Sequence, residues 1–196
     1  MTFSIIGSGN VGTALARQFA RSGIPVGIAN TRGPDSIAAL AQELGDTITP
    51  MTLQNALIAD VIILAVPFRA HAAVAQALQN WAGKIVVDAM NTYGIAPEEL
   101  KGQASTDVVA TAFASAKVVK TFNQLPAKLL ARDPAEDGGR RVMFVASNDE
   151  TAAVWIANLV SDLGFAPIQL GRINEGGALL GLGAPLVLQN LIKLNN

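Results

Sequence analysis

Thr2–Phe3–Ser4–Ile5–Ile6–Gly7–Ser8–Gly9–Asn10–Val11–Gly12, at the start of a 196-residue chain, is the stretch whose reading decides the fold. Residues 2–6 read as a short buried strand. The next six carry the G-x-G-x-x-G spacing, and Ala14, Leu15, Phe19 and Ala20 come after them at helical intervals. In such a turn the first glycine, Gly7, permits the tight bend, and the second, Gly9, lets a pyrophosphate approach the backbone. The third, Gly12, lets the helix pack closely on the strand. The free N–H groups and positive dipole end of that helix then suit a diphosphate. A glycine turn alone is weak, but here it lies between an apolar strand and an amphipathic helix. A second strand, residues 25–29, ends at the distance expected of a dinucleotide-binding unit.

The residues at the end of that second strand decide which dinucleotide fits. NAD sites usually place Asp or Glu there, on the ribose hydroxyls. This chain has Asn30–Thr31–Arg32–Gly33 instead. No carboxylate is present to repel a 2′-phosphate, Arg32 offers a planar fork of donors, and Thr31 adds a hydroxyl. NADP(H) is therefore the expected cofactor, against the plainer reading of a solvated arginine in a turn. Asp35 is expected to cap a helix beginning near Ser36.

The composition narrows the class. Hydrophobic residues make up 51% and charged residues 15%, which excludes a disordered chain. A net charge of −1 without a basic cluster argues against a nucleic-acid partner. With no cysteine, disulfide and thiolate chemistry are excluded. The start has no positively charged leader region, and the apolar run 61–66 stops at Pro67, far short of a membrane span. A cytoplasmic protein without membrane contact is the expectation.

Strands and helices alternate along the chain. Helices are predicted over 36–44 (closed by Gly45), 53–59, 69–81 (ended by Gly83), 107–114 and 150–163. Strands are predicted over 47–49, 61–66, 84–88, 117–120 and 141–146, with 165–170 as the last. An apolar helical pattern runs from Leu186 onward, and residues 133–140 read as a surface loop. The fold class is α/β, a doubly wound, mostly parallel sheet. Residues 1–196 are expected to form a single Rossmann-type NADP-binding domain with a C-terminal helical segment.

With these residues in view, the chain resembles the NADPH-dependent deazaflavin (coenzyme F-420) oxidoreductase family. The resemblance is carried by the opening loop and by Asn30–Thr31–Arg32–Gly33–Pro34, Ala65–Val66–Pro67 and Val87–Asp88–Ala89–Met90–Asn91. It continues through Lys120–Thr121–Phe122–Asn123 and the closing Gly176–Gly177 and Gly183–Ala184–Pro185–Leu186. The cytoplasmic domains of membrane-bound metalloreductases that use NADPH and flavin have a similar layout. The resemblance implies hydride transfer between NADP(H) and a deazaflavin or flavin, in a protein that is commonly a homodimer. It implies that Ser8, Thr31 and Arg32 meet the 2′-phosphate region, and that Gly9, Asn10 and Val11 meet the diphosphate. Val66, Pro67, Ala89 and Asn91, beside Ala65, would flank the nicotinamide. Asn123 and residues 176–186 would line the pocket of a small-molecule electron acceptor.

Hydride transfer between stacked rings needs proximity and orientation, so no catalytic side chain is required, and none is assigned. His71, the only histidine, reads as a packed or surface helix residue. Asp60 reads as a turn or cap, Asp88 as structural with a ligand contact as its alternative. Arg140 and Arg141 read as a solvated loop edge, Trp81 and Trp155 as core on helix faces. Asn174 and Glu175 read as caps of the closing helix. No His/Cys/Asp/Glu cluster has metal-ligand spacing, so no metal is expected. Gly176, Gly177, Gly181 and Gly183 leave two readings open: close approach to a flat ligand, or a subunit interface with the neighbouring leucines. Two other functions compete, an NADPH-binding sensor or scaffold without catalysis, and a reductase of a small carbonyl or imine substrate.

Overall fold

The computed structural model describes residues 1–194. In chain order, the N-terminal half runs β1 (Phe3–Ile6), α1 (Asn10–Arg21), β2 (Val26–Ala29), α2 (Ala38–Leu44), β3 (Ile48–Met51) and α3 (Leu53–Ala56). It continues with β4 (Val61–Leu64), α4 (His71–Gln76), β5 (Ile85–Asp88), α5 (Ser105–Ala112) and β6 (Lys117–Lys120). These strands pair in parallel in the order β3-β2-β1-β4-β5-β6. Every residue of β2, β4 and β5 is buried, as continuous apolar runs covered on both faces should be. The strand order reverses between β1 and β4, so a crevice opens beyond their carboxyl ends.

The remainder runs α6 (Ala127–Leu130), β7 (Ala135–Glu136), β8 (Gly139–Ser147), α7 (Glu150–Asp162), β9 (Ala166–Gln169) and β10 (Ile192–Leu194). These strands extend the same sheet, but β8 runs antiparallel to β6, with β9 parallel and β7 and β10 antiparallel to β8. Along β8, between the stretches that pair with β6 and with β10, the buried Gln124 side chain fills the gap. Its amide donates to the Val142 carbonyl at 3.2 Å and accepts from the Phe144 N–H at 2.8 Å, as a strand residue would.

Helices cover both faces. Leu15 and Phe19 of α1 pack with Ile156 and Val160 of α7 on one side. Val74 of α4 and Val109 of α5 pack with Trp81 and Phe113 on the other. Asp60 accepts from the Thr2 N–H at 2.7 Å and the Thr2 hydroxyl at 3.1 Å, tying the start of β1 to the turn before β4. Those bonds hold its carboxyl below the usual range, the backbone one contributing most. Among the described residues no helix is long and apolar enough to cross a membrane.

Several expectations are corrected. The helix expected over 69–81 ends at Gln76, and Trp81 reaches the core from a turn, its indole N–H donating to the Ala75 carbonyl at 3.0 Å. Trp155 is on α7 but faces outward, half exposed, because the opposite side of that helix meets the sheet. Residues 133–140 hold β7 and a hairpin whose turn residues, Asp137 and Gly138, take φ of 50° and 75°. Arg141 is buried there, its guanidinium bonded to Glu136 and Asn190. Among the described residues no α-helix comes after Leu186: Leu188 takes φ 66° and β10 follows, so residues 165–170 do not hold the last described strand. The closing segment's helix is a short 3-10 turn, Gly176–Leu180, without a side-chain cap from Glu175. Asp35 does not cap either. Pro34 opens a 3-10 turn with Asp35 inside it, and the Ser36 hydroxyl donates to the Gly33 carbonyl at 2.7 Å.

Candidate functional site

The opening loop separates its glycines by physical role. Gly7 has φ +112°, and a Cβ there would lie 2.2 Å from the Ala65 carbonyl oxygen. A Cβ on Gly12 would lie 1.8 Å from the Gly7 oxygen. Both must therefore be glycine for the chain to pack on itself. Gly9 differs: a Cβ there meets nothing within 4 Å, and its φ is −78°. Its missing side chain matters only to something outside the chain.

What faces Gly9 is a set of donors. The first intrahelical bond of α1 runs from the Thr13 N–H to the Gly9 carbonyl at 2.8 Å. The N–H groups of Asn10, Val11 and Gly12 precede it, and the first turn holds no acidic residue. This arrangement suits the diphosphate of a dinucleotide, and the open face of Gly9 gives it room.

Ala65, Val66 and Pro67, just beyond β4, form a ridge shared by two hollows. On one side, with Gly7, Asn30 and Thr31, they line a cavity of about 280 Å³. Leu53, Ala70, Ala73 and Val74 complete it with an apolar wall fit for an adenine ring. On the other side, with Asn10, Val11, Ala89 and Asn91, they line a cavity of about 310 Å³, closed by Phe68, Met90 and Tyr93. Ser8, Gly9 and Asn10 also border a third hollow along α1 with Lys128 of α6.

At the tip of β2, the Asn30 amide donates to the Ser8 hydroxyl at 2.7 Å and to the Ser36 hydroxyl at 2.9 Å. Its oxygen accepts from the Arg32 N–H at 2.8 Å. Asn30 thus braces the turn that presents Thr31 and Arg32. Arg32 is exposed, and its guanidinium bonds no described residue, so all of its donors remain free. It lines neither of the two hollows and follows Thr31, which lines the first.

The sequence-expected residues thus come together with one gradation. Gly7, Asn10, Val11, Asn30, Thr31, Ala65, Val66, Pro67, Ala89 and Asn91 line the paired hollows. Ser8 and Gly9 lie at the loop's outer face, Gly12 is buried beneath it, and Arg32 is exposed next to Thr31. Leu53, Ala70, Ala73, Val74, Tyr93 and Lys128 were not anticipated. The apolar ones carry the same helical spacing as core residues, and nothing in the sequence separates them.

Beyond Asn91 the chain turns to a further cavity of about 600 Å³. Thr92, Gln103 and Thr106 face it from one side, and Gly177, Gly181 and Leu182 from the other. Asn123 lines none of these cavities. It is buried and bridges them: its amide donates to the Asn91 side-chain oxygen at 2.9 Å and the Leu180 carbonyl at 2.7 Å. Phe122, just before it, is held at φ 63°. His71 is buried beside the Phe68 ring, 4.8 Å between centroids, with Nδ1 against the Phe68 carbonyl. Gly176 and Gly177 serve the chain itself. A Cβ on Gly176 would lie 2.0 Å from the Leu170 carbonyl oxygen, and one on Gly177 would lie 3.0 Å from the Ala146 Cβ.

Residues 2–92, just under half the chain, match the model of the family described as NADP oxidoreductase, coenzyme F420-dependent. Over these residues the chain belongs to this family. The matched part contains β1 to β5 and every residue lining the paired hollows except Tyr93, and the dinucleotide in the family's description is NADP. A hypothetical protein from Sinorhizobium meliloti is 43% identical over 98% of this chain and 96% of its own, with a TM-score of 0.93. An Arthrobacter protein with the working description of an F420-dependent NADP reductase is 26% identical over 98% of this chain and 100% of its own, at TM-score 0.75. A reductive aminase from Aspergillus terreus, solved with NADPH and ethyl-5-oxohexanoate, shares the fold at 18% identity and TM-score 0.69. This chain covers 93% of its own length in that match but only 59% of the aminase's. No curated protein matches the chain.

Proposed function

We propose that this family member is an NADPH-dependent oxidoreductase that passes hydride to a deazaflavin, such as coenzyme F-420, or to a flavin. The observation that carries the nucleotide half is the combination of an open Gly9, the unbonded N–H groups of α1 and the free guanidinium of Arg32. Bound NADPH supplies the hydride, and the acceptor takes it together with a proton from water. The protein's own part is placement. The N–H groups of Asn10, Val11 and Gly12 hold the diphosphate, Arg32 and Thr31 hold the 2′-phosphate, and Ala89 and Asn91 form a wall behind the ring. The cavity beyond Thr92 is roomy enough for a second flat ring system and gives the acceptor a place next to that wall.

Such a reaction asks for proximity between two rings rather than a side chain that gives or takes a proton. The site fits that demand: His71 is packed against Phe68, and Asp88 is sealed beneath the wall. Mixing the protein with NADPH and, in turn, coenzyme F-420, flavin mononucleotide, riboflavin and a cyclic imine tests the proposal. NADPH oxidation with a deazaflavin or flavin is the expected result. Oxidation by the imine alone, or tight binding without turnover by any acceptor, overturns it. Arg32→Ala tests the nucleotide assignment separately. Loss of a charge-assisted contact worth about 1.5–3 kcal/mol should weaken NADPH binding roughly ten- to a hundred-fold while leaving NADH nearly unchanged.

A further inference from the structure

Behind the wall formed by Ala89 and Asn91 lies an ion pair with no access to either hollow. Lys120, at the end of β6, and Asp88, at the end of β5, are 2% and 0% exposed and 3.2 Å apart. Burial pushes the Lys120 amine below its ordinary value, and the charge and hydrogen bond of Asp88 oppose that. Desolvating two charges is costly enough that an apolar pair of the same size would serve stability as well. A buried pair of this kind therefore calls for an explanation in what it holds.

What it holds is one residue, from both sides. Asp88 accepts from the Met90 N–H at 3.0 Å, and Lys120 donates to the Met90 carbonyl at 2.6 Å. Both peptide groups of Met90 are thus gripped, one by each member of the pair, and Met90 stands between Ala89 and Asn91. The other side of the network reaches the larger cavity. Thr106, on the first turn of α5 and lining that cavity, donates to the second Asp88 oxygen at 2.9 Å. From Asn91 the chain of bonds continues through Asn123 to the Leu180 carbonyl.

We propose that Lys120, paired with Asp88, is a positioning residue for the nicotinamide end of the cleft: by clamping the Met90 peptides it sets the wall against which the ring lies. The proposal rests on the NADP reading above but not on the identity of the acceptor. The clamp needs a compact cation with several donors on a reach long enough to span from β6 to the segment beyond β5, which describes lysine. Its effect is confined to the ring, because Gly9, Asn30 and Arg32 bind the rest of the nucleotide from other elements.

The fluorescence of bound NADPH reports the environment of the dihydronicotinamide, and calorimetry with 2′-phospho-ADP-ribose reports the remainder of the nucleotide. Lys120→Met alone leaves Asp88 buried without a counter-charge, so the deciding variant is Asp88→Asn combined with Lys120→Met. It removes both charges and keeps an acceptor for the Met90 N–H. In this double variant the fluorescence change on binding NADPH should be lost, and kcat for the acceptor should fall about tenfold or more at little-changed KM. Affinity for 2′-phospho-ADP-ribose should stay within about twofold of the parent protein. Parent-like fluorescence and kcat in the double variant overturn the proposal. So does equal loss of both ligands, which assigns the pair to the fold rather than the ring. Failure of the parent protein to bind NADPH is a different outcome and removes the cofactor reading beneath it.

Discussion

The chain opens and closes on glycine-rich segments, residues 7–12 and 176–183, and the two use the same residue type differently. In the opening loop, Gly7 and Gly12 let the backbone cross itself, while Gly9 faces open space in front of free helix donors. In the closing segment, Gly176 and Gly177 fit against Leu170 and Ala146, a Cβ on Gly181 would lie 3.5 Å from the Ala178 carbonyl oxygen, and Gly183, though open, precedes no α-helix. Glycine spacing alone therefore does not identify a ligand site. The proposed site rests instead on an open glycine beside unbonded N–H groups.

The sharpest way to break this contrast is Gly12→Ala. Its Cβ would collide with backbone that cannot move without displacing β1 or α1, so about 3 kcal/mol of stability should go, with nucleotide binding alongside. Denaturant unfolding and NADPH titration measure both. Gly176→Ala should cost a similar 1–3 kcal/mol, yet leave 2′-phospho-ADP-ribose affinity within about twofold, because its clash lies with Leu170, away from the cleft. If it abolished nucleotide binding, the two ends would not be separable. Gly9→Ala should reverse the pattern. Stability should stay within about 0.5–1 kcal/mol, while NADPH binding weakens by roughly tenfold or more as the methyl enters the space meant for the diphosphate.

The smallest effect concerns pH at the opening end. Asp60 is held below its ordinary value by Thr2, so its contribution to stability is complete above about pH 4 and is lost as the pH falls through the lowered value. Asp60→Asn should flatten the acid limb of the stability profile measured by denaturant unfolding below about pH 4, and change little at neutral pH. An unchanged acid limb would mean that the Thr2 clasp does not persist in solution.

Much of the N-terminal half was legible because parallel strands buried on both faces leave unbroken apolar runs, as in Val61–Leu64 and Ile85–Asp88. The glycine loop was legible for the same local reason: its three roles lie within six residues. The closing region was not, because its structure depends on distant partners. β10 forms where Gly139 leaves room for the Lys193 carbonyl, and a Cβ on Gly139 would lie 2.4 Å from that oxygen. Nothing near Leu186 announces this, and leucines at helical spacing suggested a helix instead. Arg141 looked solvated because its partners, Glu136 and Asn190, meet it only after β7 and β10 have formed. One signal was available: Asp137–Gly138 is a two-residue hairpin turn, and it marks β7 and β8 on either side. The Asp88–Lys120 pair, 32 residues apart, carried no local pattern at all.

The ridge at Ala65–Val66–Pro67 constrains anyone wishing to re-engineer this protein. Because both hollows lean on the same three residues, enlarging one reshapes the other, and a redesign for a bulkier ring on one side would also alter the side proposed for the adenosine. The turn after β2 has no such double duty. Under the proposed placement, coenzyme preference would be rewritten at Thr31 and Arg32 while the hollow beside Ala89 and Asn91, which neither residue lines, is left alone.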